Sequence, residues 1–133
     1  MRFNKWLILI LCIFFQTTTF ATKSEPNIYT EDKLNVIVTK DQPQFIIHLK
    51  SNPTTGYNWF LREYDAKLII PIKHRYEAPN NRMVGASGYD VWTFSVKPAA
   101  FIVPQMTQLR FIYTRPWETQ DQVKQLVFKI SMP

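Results

Sequence analysis

Cysteine is almost absent from this chain. Cys12 is the only one in 133 residues, and it lies inside an apolar N-terminal run. The remainder holds no thiol, which excludes disulfides, a thiol nucleophile and a thiolate metal site there. Glycine is nearly as scarce. Its three copies, Gly56, Gly85 and Gly88, fall in two short segments, and a chain this sparing of glycine keeps it where φ must be positive or where backbone must approach another surface closely. Charge is not concentrated either. Sixteen basic against ten acidic residues give a net +6, but only Lys73-His74-Arg75 cluster. A nucleic-acid reader carries a stripe or run of Lys and Arg. There is no internal repeat, no low-complexity tract and no convincing helical period.

Signatures of catalysis are missing as well. Gly85-Ala86-Ser87-Gly88 lacks the Lys-Ser/Thr ending of a phosphate-binding loop, and a strand-like run follows it. No serine sits in a recognisable nucleophile turn. His48 falls on the outward face of its strand and His74 between two cations, so nothing gathers them into a metal site. Asp90 and Glu118 imitate a glycosidase carboxylate pair, but with no shared pocket they read as solvated charges. No cofactor is expected.

What is present begins with a leader. Arg2 and Lys5 precede the apolar run Trp6 to Phe15, and Gln16 to Ala21 turns polar and ends in Thr19-Phe20-Ala21. That layout is a secretory signal, because the run is well short of the roughly 20 residues a spanning helix needs. An uncleaved anchor is the alternative. Leu11 before Cys12 is too bulky for a lipoprotein site. Cleavage after Ala21 leaves 112 of the 133 residues and lowers the net charge from +6 to +4 as Arg2 and Lys5 depart. The expected organisation is a signal over 1–21, a loose polar lead over 22–32 and one domain over 33–133.

The domain divides into short runs rich in β-branched and aromatic residues, separated by Pro, Asn, Asp and Gly. Strands are predicted near Leu34–Thr39, Gln44–Lys50, Tyr57–Tyr64, Lys67–His74, Tyr89–Lys97, Thr107–Thr114 and Val123–Ser131. Several alternate cleanly: Phe45, Ile47 and Leu49 oppose Ile46, His48 and Lys50, while Leu109, Phe111 and Tyr113 oppose Arg110, Ile112 and Thr114. One buried face and one wetter face fit an all-β, immunoglobulin-like antiparallel sandwich of about seven strands, without the antibody-type cysteine pair. Pro71 marks its strand as an edge or as interrupted. If successive strands reverse direction, the second, fourth and sixth connections emerge at one end. Those connections hold Asn52-Pro53-Thr54-Thr55-Gly56-Tyr57, Gly85-Ala86-Ser87-Gly88 and Arg115-Pro116-Trp117. Loops gathered on a rigid scaffold are where binding resides.

Each loop has a plain reading beside a functional one. Asn52-Pro53 and Gly56 make a competent turn, yet two threonines at its tip suit hydrogen bonding to a partner. Gly-x-x-Gly alone is ordinary turn chemistry. Trp117 is either a core residue or, held out behind Pro116, an interface anchor.

Together, Asn52-Pro53-Thr54-Thr55-Gly56-Tyr57-x-Trp59, Gly85-x-x-Gly88 and Arg115-Pro116-Trp117 resemble the three signatures of the chagasin family, inhibitors of papain-like cysteine peptidases, from about Lys33 to Met132. Glu118-Thr119 after the tryptophan departs from the pattern, since many members place glycine within a few residues of it. The resemblance implies a non-enzymatic, reversible and competitive inhibitor whose three loops wedge into the peptidase cleft. Thr54 and Thr55 would cover the catalytic cysteine and histidine. Gly85 to Gly88 would follow the non-primed side, and Arg115 and Trp117 the primed side. Tyr57 and Trp59 would support the wedge, with Trp59 in the core. The expected partner is a papain-like peptidase, endogenous or foreign, bound by a monomer exported to the periplasm or beyond. A secreted module for carbohydrate or another surface ligand, with Trp117 and Tyr57 as stacking platforms, is the competing reading.

Overall fold

The computed structural model describes residues 24–80, 83–119 and 123–133. The leader expected over 1–21, residues 22–23 of the expected lead, and residues 81–82 and 120–122 lie outside them. Among the described residues eight strands form two four-stranded sheets. One sheet has the order β1-β3-β6-β5, built from β1 (Asn27–Thr30), β3 (Gln44–Ser51), β6 (Gly88–Val96) and β5 (Ile69–Glu77). The other has the order β2-β8-β7-β4, built from β2 (Asn35–Ile37), β8 (Lys124–Met132), β7 (Gln105–Thr114) and β4 (Asn58–Glu63).

The alternation in the sequence becomes the core. Phe45, Ile47, Leu49, Phe94, Leu109, Phe111, Phe128 and Ile130 all point between the sheets and are buried. Phe111 is the hub, meeting Trp92, Phe94 and Phe128 edge-on at centroid separations of 5.4, 6.2 and 5.9 Å. Edge-to-face aromatic pairs of this kind add to the hydrophobic stabilisation of the rings themselves.

Pro71 behaves as its lost donor requires. It lies on edge strand β5, whose register against β6 shifts between Pro71 and Lys73. Two features differ from expectation. Asn27–Thr30, within the stretch read as a loose lead, is a strand paired in parallel with β3. Tyr29 secures it: the ring is buried against Phe45, and its hydroxyl donates to the Ile37 carbonyl at 3.2 Å. The run expected to be a longer first strand contracts to Asn35–Ile37, which pairs in parallel with β8. Two of the sandwich's pairings are therefore parallel, and the other four are antiparallel.

Removing the hub ring is expected to destabilise the domain by about 3–5 kcal/mol, the usual range for a buried phenylalanine cut to alanine. Urea unfolding of Phe111→Ala, compared with wild type, measures it.

Candidate functional site

Strand directions decide where the loops go. β3 and β5 both run antiparallel to β6, while β4 and β8 both run antiparallel to β7. The ends of β3 and β7 meet across the two sheets, because the Asn52 N–H donates to the Tyr113 hydroxyl at 3.4 Å. Ser51, the last residue of β3, is in register with Gly88, the first of β6. The connections after β3, β5 and β7 thus leave the same end of the sandwich.

The first loop is a single turn of 3-10 helix over Pro53–Thr55. Proline occupies its opening position, where a missing N–H costs nothing, and Asn52 before it is extended at φ −129° and ψ 87°. Gly56 closes the turn at φ 82°, donating its N–H to the Pro53 carbonyl at 3.0 Å. The threonine hydroxyls do not stand free, as the sequence suggested. Thr54 Oγ1 donates to Asn52 Oδ1 at 2.5 Å, and Thr55 Oγ1 donates to the Asn52 carbonyl at 2.7 Å. They stiffen their own loop, leaving lone pairs and backbone for any partner.

The third loop is tied to the first by one side chain. Arg115 Nε donates to the Thr55 carbonyl at 3.1 Å, and its Nη1 donates to Glu118 Oε1 at 3.2 Å. Its guanidinium carbon lies 4.4 Å from the Tyr57 ring centroid. The Tyr57 hydroxyl donates to the same Glu118 oxygen at 3.3 Å, completing the link. Behind Tyr57 the rings continue inward. Tyr57 stacks on Tyr113 at 5.3 Å, and Tyr113 leans on Trp59 at 4.8 Å. Trp59 is 3% exposed and donates its indole N–H to the Lys50 carbonyl at 2.9 Å. This ladder anchors both loops to the core.

Trp117 caps the arrangement. A Cβ on Gly56 would sit 3.3 Å from Trp117 Cη2, so the indole lies close over the glycine. Trp117 nonetheless remains 73% exposed, which rules out the core reading. Pro116 beside it is exposed.

The second loop is positioned at its base. Gly88 is buried, and any Cβ there would overlap the Glu77 carbonyl oxygen and come within 2.5 Å of the Tyr76 hydroxyl. β5 therefore crosses Gly88 at backbone distance. Gly85 turns at φ 81°, with the Ala86 N–H donating to the Met83 carbonyl at 3.2 Å. No hydrogen bond joins Gly85, Ala86 or Ser87 to either other loop among the described residues.

Two expectations about charge need correction. Asp90 is not solvated but 5% exposed, facing inward below the loops. His74 Nε2 lies 3.0 Å from Asp90 Oδ1, and its ring stacks on Trp92 at 4.0 Å. Edge strand β5 lets His74 reach under the sheet to meet a carboxylate that burial would otherwise strand. Glu118 likewise is engaged with Arg115 and Tyr57, so the two carboxylates belong to separate networks. Among the described residues no group of three His, Cys, Asp or Glu is placed to hold a metal ion.

The family model for "Chagasin family peptidase inhibitor I42" matches residues 39–132, more than half of the chain. The chain belongs to the chagasin family. Chagasin from Trypanosoma cruzi is 31% identical over 75 residues, an alignment covering 53% of this chain and 64% of that relative. The chain therefore spans just under two thirds of its relative's length. A cysteine protease inhibitor from Entamoeba histolytica superposes with a TM-score of 0.63 at 19% identity, covering 80% of this chain and 94% of that one. Amebosin superposes at 0.62 and 19% identity, covering 83% and 100%. These likenesses show a shared fold. The chagasin family is one of peptidase inhibitors, not of enzymes.

Within that family frame, the sequence pattern reached the turn residues but missed two supports. Tyr113 was readable as an inward residue of its strand, without its part in the loop ladder. Glu118 was noted as a departure, and the signal available was its spacing three residues after Arg115.

Gly88→Ala is expected to cost about 1–3 kcal/mol, the usual penalty of forcing atoms into a packed site. Urea unfolding will show the loss as a lower midpoint with an unchanged slope.

Proposed function

We propose that this protein is an exported, reversible and competitive inhibitor of papain-like cysteine peptidases that occludes the cleft with its three loops. One observation carries the reading. At a single end of a rigid sandwich, two loops are locked together while a large indole beside the lock is left in solvent. An exposed tryptophan held between stiff neighbours loses little entropy on docking, and tryptophan and arginine are the residue types that most often anchor interfaces. Thr54 and Thr55 lie over the catalytic cysteine and histidine in this proposal. Gly85, Ala86, Ser87 and Gly88 follow the non-primed side, and Arg115, Pro116 and Trp117 the primed side.

The first loop also explains survival in the cleft. Substrate peptides bind extended, with main-chain hydrogen bonds along their length. Pro53–Thr55 is instead a closed helical turn whose two threonine hydroxyls and Thr55 N–H already bond within the loop. It fills the cleft without laying a peptide bond across the nucleophile, so no bond is made or broken.

Carbohydrate binding is disfavoured by the same geometry. Tyr57, one of the two rings such a module would need, is already engaged by Tyr113 and Arg115. Export remains part of the proposal and rests on the leader sequence. No helix among the described residues is long and apolar enough to cross a membrane.

Titration of papain with the purified protein is expected to give competitive inhibition that recovers on dilution, with the inhibitor's intact mass unchanged after prolonged incubation. Absence of inhibition across papain and related cathepsins contradicts the proposal, and cleavage at Thr54 or Thr55 contradicts the mechanism. Trp117→Ala is expected to weaken inhibition by about 2–4 kcal/mol, the hot-spot range, or roughly 30- to 1,000-fold. An unchanged inhibition constant removes Trp117 from the interface.

A further inference from the structure

The outer face of the second sheet carries a groove that the three-loop reading does not use. Its floor is Phe60 and Ile112, register partners on β4 and β7 whose side chains point away from the core. Alternation would make this face wet, yet Ile112 is buried and Phe60 is 37% exposed. Pro116 and Thr114 form one wall, and the Arg115–Glu118 pair closes the end nearest the third loop. The open space is about 230 Å³, enough for one or two side chains. Arg62 stands on the rim. It is exposed, and it has no hydrogen bond or ion pair among the described residues.

Charge sets what fits. Glu118 is already neutralised by Arg115 at 3.2 Å, so the groove presents one uncompensated cation beside an apolar floor. Guanidinium pairs best with a planar carboxylate, which it can hold by two parallel hydrogen bonds. The groove is also continuous with the third loop, because Arg115, Pro116 and Glu118 belong to both.

We propose that this groove is a secondary docking site for the same peptidase, taking an acidic side chain and an adjacent apolar one from the enzyme surface flanking its cleft. The inference rests on the inhibitor reading above. A peptidase seated on the three tips overhangs the β4–β7 flank, and Arg62 then selects among peptidases by the charge of that overhang. Enzymes with a carboxylate there are held more tightly, and those with a lysine or arginine are disfavoured by an unpaired like charge.

The test measures inhibition constants of wild type, Arg62→Glu, Arg62→Gln and Lys129→Glu against papain and two cathepsins of its family. Lys129 lies on the same sheet face beside Gln108 and Met106, away from the loops. It therefore serves as a matched charge reversal. For at least one enzyme, Arg62→Glu is expected to raise the constant tenfold or more and Arg62→Gln about threefold. Lys129→Glu is expected to change it less than twofold. Equal effects of the two reversals assign the result to long-range steering and overturn the groove. Unchanged constants for both Arg62 variants against every enzyme overturn it too, while leaving the three-loop inhibitor intact. If wild type inhibits none of the three enzymes, the underlying reading fails and the groove proposal fails with it. Arg62 is exposed, so thermal unfolding midpoints within a degree or two of wild type will show that the variants fold.

Discussion

The loop-bearing end of this molecule depends on one guanidinium. Arg115 donates to the carbonyl at the tip of the first loop, pairs with Glu118 in its own loop and lies over the Tyr57 ring between them. Only a planar, forked cation does all three at once. A lysine ammonium would offer a point charge with no face to stack and no fixed fork. Each contact is modest, since an exposed ion pair contributes about 0–1 kcal/mol and an exposed cation–π contact about 0.5–1 kcal/mol. Their joint effect is positional more than energetic. Two loops separated by some sixty residues of chain (Thr55 to Arg115) become one body.

That body would drift without the scaffold beneath it. The Tyr57–Tyr113–Trp59 ladder carries the lock into the core, and the indole N–H of Trp59 fastens it to β3. Ser51 and Gly88 in register hold the first and second loops to neighbouring strands, and the close crossing of β5 at Gly88 fixes the second loop's exit. At the second loop, Gly85, Ala86 and Ser87 make no hydrogen bond to either other loop among the described residues. The first and third loops are the pair joined directly, through Arg115 and the Thr55 carbonyl.

Much of this was legible in the sequence where one residue type answers one backbone demand. Gly56 marked a positive-φ corner, Pro71 an edge strand with a register shift, and the alternation of Phe45, Ile47 and Leu49 an inward face. The illegible parts are those decided by a partner distant in sequence. Asn27–Thr30 has one inward apolar residue, Tyr29, too few for a pattern to show. Asp90 looked solvated because nothing local announces that His74, from the adjacent strand, will reach it. The two threonine hydroxyls looked free because Asn52, their acceptor, reads equally well as an ordinary turn residue. Ile112 looked wet because alternation does not reveal that Phe60 will lie across from it.

The central claim is that two loops arrive at a peptidase already joined, with the indole presented beside them. A crystal structure of the protein bound to a papain-like peptidase tests it most directly. The account predicts Thr55, Ser87 and Trp117 all in contact with the enzyme cleft, with Arg115 Nε still on the Thr55 carbonyl as in the free protein. A complex in which the peptidase grips another face, or in which Arg115 has left Thr55 and the first and third loops have separated, would contradict it.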